Sequence, residues 1–158
     1  MPLTVSIVTQ ERSVLERDDV QRLIVPTSEG QITVLPGHSP LMASLAGGRR
    51  IAGDAAHPPP TGEMIAAVAG EEIAMAIHGG FIQVANDLVT VLADAAEHVD
   101  EIDEARAETA QSRAEQRIAG PGPDAEAVEL LRAQLALQRA LLRLRVRRRS
   151  PTGAPSAR

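Results

Sequence analysis

The stretch IDEARA, Ile102 to Ala107, sets an apolar residue, a carboxylate and an arginine about one helical turn apart. Two chemistries fit it. Asp103 can cap a helix and pair with its first turn, or Arg106 can form one edge of an anion site. The outcome depends on what else reaches Arg106. Arg113 lies seven residues on, two turns along the same helix face. In LALQRALLR, Arg139 and Arg143 stand four apart and share a face of their own. Guanidinium groups grip oxyanions through charge-assisted hydrogen bonds and make no covalent bonds. The chemistry on offer is therefore binding. Against it stands the plain alternative, in which Arg106 pairs with Asp103 or Glu104 and the other arginines face solvent.

No second constellation competes. His38, His57, His78 and His98 are scattered without metal-ligand spacing, so no metal site is expected. Ser39 and Ser44 lack a nucleophile-elbow context. The chain contains no cysteine, which excludes disulfides and thiolate chemistry, and no lysine, which excludes a Schiff base and a GxxxxGK[ST] phosphate loop. No catalytic set is expected, and an enzyme of the jelly-roll type ranks behind the binding classes.

The elements that must position these arginines fall into two halves. LTVSIVT at 3–9, VQRLIVP at 20–26, QITVL at 31–35, MIAAVA at 64–69, EIAMAIH at 72–78, FIQVA at 81–85 and LVTVLA at 88–93 read as strands. Turn signals separate them: SEG at 28–30, PGHSP at 36–40, GG at 79–80 and ND at 86–87. Close-spaced short strands without helical interludes predict an antiparallel β-sandwich or barrel. The segment 52–63, with three consecutive prolines, is expected to be a loop. Phe81, beside the glycine pair, is expected in the core.

Beyond Ala93 the period changes. Residues 102–118 are rich in Ala, Glu, Gln and Arg, with Asp100 or Asp103 as N-cap and Gly120 at the C-terminal end. PGPD at 121–124 breaks the chain before a second helix over 125–148 with Asp124 as cap. The short linker predicts an antiparallel hairpin. Ala107, Ala110, Ala114 and Ile118 form one seam, and Val128, Leu131, Leu135 and Leu142 the expected facing stripe, with Leu130, Leu137, Leu141 and Leu144 beside it. That is more leucine than an alanine seam can cover, which signals a partner surface. The domain expectation is a β-sandwich over 1–96, a helical hairpin over 97–149 and a disordered tail over 150–158.

Composition bounds the rest. The 158 residues are 44% hydrophobic with a single aromatic, so the core must be aliphatic. No run approaches the roughly 18 apolar residues of a membrane span, and no secretory signal is read at the start. Residues 1–123 carry net −10 and residues 124–158 net +5. An acidic body with a basic end suggests an acidic partner or self-association. Arg147, Arg148 and Arg149 lack the interleaved aromatics of a nucleic-acid surface, and no nucleic acid is expected.

Three blocks of sequence carry a resemblance. SEGQITVLPGHSPLMASL at 28–45, GGFIQVANDLVTVLADAAE at 79–97 and IDEARA at 102–107 resemble, in order, the signature segments of the epsilon subunits of F-type ATP synthases. The likeness spans 3 to about 148; the Pro-rich loop and the Arg-rich end depart from it. It implies a non-catalytic rotor subunit of a proton-translocating ATP synthase at the cytoplasmic face of the plasma membrane. The sandwich would bind the gamma subunit of the stalk and the c ring. The hairpin would lie folded or extend into the alpha/beta catalytic head and inhibit ATP hydrolysis. Ser28, Glu29 and Gln31 are then expected at the c ring and His38 at the stalk, with membrane contact only through the complex.

Some bacterial members of that family hold ATP in the folded hairpin. Carried over residue by residue, the expected site is Glu97, Ile102, Asp103, Arg106, Ala107, Arg113, Arg139 and Arg143. No cofactor is required, and ATP would be regulatory. Four converging guanidinium groups oppose closure without an anion, so nucleotide would draw the hairpin shut. The competing class is a free-standing β-sandwich that binds a small ligand or nucleotide under a helical lid.

Overall fold

Seven strands and two helices build the protein in a computed structural model that describes residues 1–46, 62–120 and 127–149. The strands are β1 (Leu3–Val8), β2 (Ser13–Thr27), β3 (Gly30–Val34), β4 (Leu41–Ser44), β5 (Glu63–Val68), β6 (Glu71–Ala85) and β7 (Leu88–His98). A 3-10 turn, Val99–Glu101, precedes α1 (Glu104–Ala119), and α2 spans Ala127–Arg149. Two compact units divide between His98 and Val99. Most of the expected Pro-rich loop, the PGPD linker with its Asp124 cap and the tail 150–158 lie outside the described residues. Glu63, read as the end of the loop, opens β5.

The β unit is a circuit. β1 pairs with β2 and β7, β7 with β6, β6 with β5, and β5 with β2, while β3 and β4 attach to β2 and β6. Long β2 and β6 change partners along their length. β2 passes from β1 to β5 and β3, and β6 passes from β5 to β7 and β4. The sandwich is antiparallel as expected except where β1 runs parallel to β7. Those strands are far apart in the chain, and no hairpin signal could reveal their pairing. The first half of β2, SVLERDD, also lacks apolar alternation and escapes a sequence reading. It is held chiefly by its ladder with β1.

The core is aliphatic, as the composition requires. Leu3, Ile7, Leu23, Met64, Ile77 and Ile82 are among its fully buried side chains. Along β6 the buried parity changes. Met75 and Ile77 face the core ahead of the glycines, and Ile82 and Val84 face it afterwards. Gly79 and Gly80, at φ 65° and 106°, shift the period-2 count by one. They are not a turn between two strands, as the sequence suggests, but a kink inside one. Phe81 therefore points outward, 58% exposed, contrary to its expected place in the core.

Phe81 does not stand alone on that outer face. It lies opposite Ser44 of β4 and Leu92 of β7, while Met42 and Leu88 lie opposite Gln83 and Ala85. Met42, Phe81, Leu88 and Leu92 are all exposed. Together they make an apolar patch across three adjacent strands of the kind that marks an interaction surface.

In the helical unit α1 packs on α2. The α1 seam is as predicted, with Ala107 and Ala114 buried and Ala110 and Ile118 half-buried. The α2 seam is not. Val128, Leu131 and Leu135 are exposed, and only Leu142 of the expected stripe is buried. Ala133, Ala136, Ala140 and Leu144 turn inward instead, at the spacing of three, four and four found on α1. Small residues on both helices allow close approach, and Leu130, Leu131, Leu135 and Leu141 stay exposed. An alanine seam removes little apolar area from water, so the two helices are held lightly.

Candidate anion site on the helical hairpin

The local fold starts at Asp103. Its backbone is extended, and its carboxylate Oδ1 accepts from the Arg106 backbone N–H at 3.0 Å. This cap satisfies one of the orphan donors of α1 and contributes about 1 kcal/mol. It also commits Asp103 to the backbone. Ile102 is buried, its N–H donating to Val99 O at 3.2 Å, and Ala107 is buried one turn on. The motif thus anchors the start of α1 by Ile102 and Ala107, caps it by Asp103, and leaves Arg106 outside.

At 3.6 residues per turn, α1 sorts its charges into flanks. Glu104, Glu108, Gln111 and Glu115 form one row, with Gln111 donating to Glu115 at 2.8 Å. Arg106, Thr109, Arg113 and Arg117 form another, across the alanine seam. Ala105, Arg106, Thr109, Ala110 and Arg113 line a shallow groove of about 420 Å³. Arg106 and Arg113 make no ion pair with a carboxylate among the described residues, and both are exposed. The simple pairing of Arg106 with Asp103 or Glu104 is absent: Asp103 caps the helix, and Glu104 belongs to Arg148.

Arg148 fixes the handedness of the pair. It donates from Nε to Glu104 at 3.1 Å and from Nη2 to Glu108 at 2.9 Å. The bond to Glu104 raises the Arg148 pKa above its ordinary value. Since Arg148 meets the acidic flank of α1, the opposite flank of α2 lies beside the arginine flank. By helix periodicity that opposite flank carries Arg139 and Arg143. The same register brings Arg139 and Arg143 near the level of Arg113. Arg139 is exposed and Arg143 half-buried; neither lines the groove itself. The structure therefore puts the four arginines on one side of the hairpin and assembles only Arg106 and Arg113 around a common groove.

Thr109, with Ala105 and Ala110, is a lining residue the sequence reading missed. Its signal was available, because it stands one turn beyond Arg106 and four before Arg113. The Thr109 hydroxyl donates to Ala105 O at 2.9 Å. Glu97 belongs to the β unit, half-buried on β7 opposite Ala76.

The expected partner residues sit at the two ends of β3. Ser28 and Glu29 form the exposed β2–β3 turn, where Thr27 Oγ1 donates to Gly30 O at 2.6 Å, and Gln31 is exposed beside it. His38 follows the other end, half-buried in a turn closed by its N–H to Leu35 O at 3.0 Å. The neighbouring Gly37 N–H donates to Asp87 Oδ1 at 2.6 Å. The five residues of β3 between them span about 13 Å.

Comparison with known proteins covers both units. Residues 2–53 and 61–99 match the family described as ATP synthase, Delta/Epsilon chain, beta-sandwich domain, and residues 100–147 match its long alpha-helix domain. The ATP synthase epsilon chain of Pediococcus pentosaceus is 38% identical over 144 residues, 91% of this chain and 94% of its own. That of Herpetosiphon aurantiacus is 40% identical over 147 residues, with 92% and 94% covered. Among solved structures, a chain of the Euglena gracilis mitochondrial ATP synthase OSCP/F1/c-ring assembly shares the fold at TM-score 0.68 and 21% identity, with 87% of this chain and 76% of that one covered. A chain of the Tetrahymena thermophila central stalk/c-ring assembly aligns at TM-score 0.52 and 15% identity, covering 96% and 98%. Matched along both units, the chain belongs to the epsilon-chain family of F-type ATP synthases, as a non-catalytic subunit of the complex.

Proposed function

We propose that this chain couples the gamma stalk to the c ring at the cytoplasmic face of the membrane and restrains ATP hydrolysis through its hairpin, with bound ATP favouring the folded form. No helix among the described residues is long and apolar enough to cross a membrane, and in this reading the membrane is reached through the complex. The observation that carries the nucleotide reading is the groove holding Arg106 and Arg113 with no carboxylate to neutralise them among the described residues. A triphosphate supplies the missing charge, and Arg139 and Arg143 approach from the same side. Calorimetric titration of ATP into the isolated protein is expected to give saturable heat at roughly millimolar ligand or below. No heat at that concentration would remove the site.

The uncovered leucines of α2, with arginines beside them, suit docking in the alpha/beta head when the hairpin extends. The patch of Met42, Phe81, Leu88 and Leu92 supports a stalk-binding face on the sandwich. Phe81→Glu is expected to weaken co-assembly with gamma about 30-fold, as a central aromatic anchor does. Because Phe81 is exposed, the variant should keep its fold by circular dichroism. Unchanged affinity for gamma would place the stalk elsewhere.

A further inference from the structure

The alanine seam has two flanks, and the arginine flank is only one of them. On the other, a single guanidinium in the last turn of α2 bridges two carboxylates on consecutive turns of α1. Arg148 reaches Glu104 at 3.1 Å and Glu108 at 2.9 Å. This junction lies at the end of the hairpin remote from the 120–126 connection. At the connected end the chain itself keeps the helices together; at the Arg148 end separation must begin. The seam is alanine over much of its length, where it contributes little cohesion per turn. At the Arg148 end the bridge adds to buried Leu144 and to the Arg147 bond to Val99 O at 3.4 Å.

We infer that Arg148, with Glu104 and Glu108, is a nucleotide-independent clasp that sets how readily the hairpin opens. Only its regulatory consequence rests on the proposed function; the clasp itself is a property of the isolated chain. It acts opposite the anion groove. An anion draws in the arginine flank, Arg148 draws in the acidic flank, and either restrains the hairpin when the other is lost. The clasp also occupies Glu104 and Glu108, the carboxylates two residues to either side of Arg106, leaving the arginine groove positive.

The chain has no native cysteine, so cysteines placed at exposed Ser112 and Leu141, neither of which lines the arginine groove, can carry spin labels for distance measurement on the full-length protein. Without nucleotide, Arg148→Glu is expected to lower the ratio of closed to open hairpin about two- to tenfold, the range for a solvent-exposed pair of bridges. Arg148→Gln, which keeps a good helix former in place, is expected to shift it the same way by less. The charge swap Glu104→Arg, Glu108→Arg, Arg148→Glu should restore much of the closed population. An unchanged distance distribution in both Arg148 variants overturns the clasp. So does failure of the charge swap to restore closure, because the loss would then not be electrostatic. Failure of ATP to bind would leave this result untouched, which separates the clasp from the nucleotide site.

Discussion

Replacing Gly80 with alanine is expected to destabilise the β-sandwich by roughly 3–5 kcal/mol, a large share of the 5–15 kcal/mol typical of a domain. A Cβ at this position would stand 2.0 Å from Leu92 O and 2.8 Å from Ala93 Cα. Both are backbone atoms of β7, which cannot swing aside like a side-chain end. Accommodation would require β6 and β7 to part, and Gly80 also accepts from the Leu45 N–H at 2.9 Å on its other side. Gly37→Ala is the informative control. Gly37 also has positive φ, 79°, but a Cβ there meets nothing within 4 Å. Its expected cost is about 1 kcal/mol of backbone strain alone. Chemical denaturation of the two variants separates close approach from conformation; similar losses would contradict the steric account.

The second large effect is on nucleotide affinity. Arg106→Ala is expected to weaken ATP binding about ten- to hundredfold, the worth of a charge-assisted hydrogen bond at 1.5–3 kcal/mol. Its guanidinium has no carboxylate partner to release among the described residues, so the loss reports on ligand contacts and not on a broken ion pair. The fold should survive, since the Arg106 backbone N–H remains capped by Asp103. Arg17→Ala, which removes an exposed bridge to Asp19 in the sandwich, is expected to leave affinity unchanged. Equal losses in the two variants would indicate general electrostatic attraction in place of a site.

The sequence disclosed most of the architecture because its physics is local. Period-2 stretches bounded by Gly, Pro and Asn-Asp marked most strands, and the change of period after Ala93 marked the hairpin. What escaped is non-local. The parity shift at Gly79–Gly80 goes with β7 crowding the Gly80 backbone and with the hydrogen bonds to Leu45 and Ala46, and Phe81 was misplaced for that reason. The facing surface of α2 was misread because leucine is the stronger hydrophobe. Close helix approach selected Ala133, Ala136 and Ala140 instead, leaving Val128, Leu131 and Leu135 exposed. Arg106 and Arg113 were legible at the site from their spacing of seven. The flank on which Arg139 and Arg143 lie was not, because it follows from Arg148 choosing Glu104 and Glu108.

On the proposed reading, an anion is the partner of Arg106 and Arg113, which make no ion pair with a carboxylate among the described residues. The most direct measurement is the closed fraction of the spin-labelled hairpin as ATP is added, in the wild type and in the Arg106→Ala, Arg139→Ala double variant. The wild type should shift progressively to the closed state and saturate, while the double variant stays at its nucleotide-free value. Closure that is independent of ATP in the wild type, or identical in both proteins, would contradict an anion-driven switch.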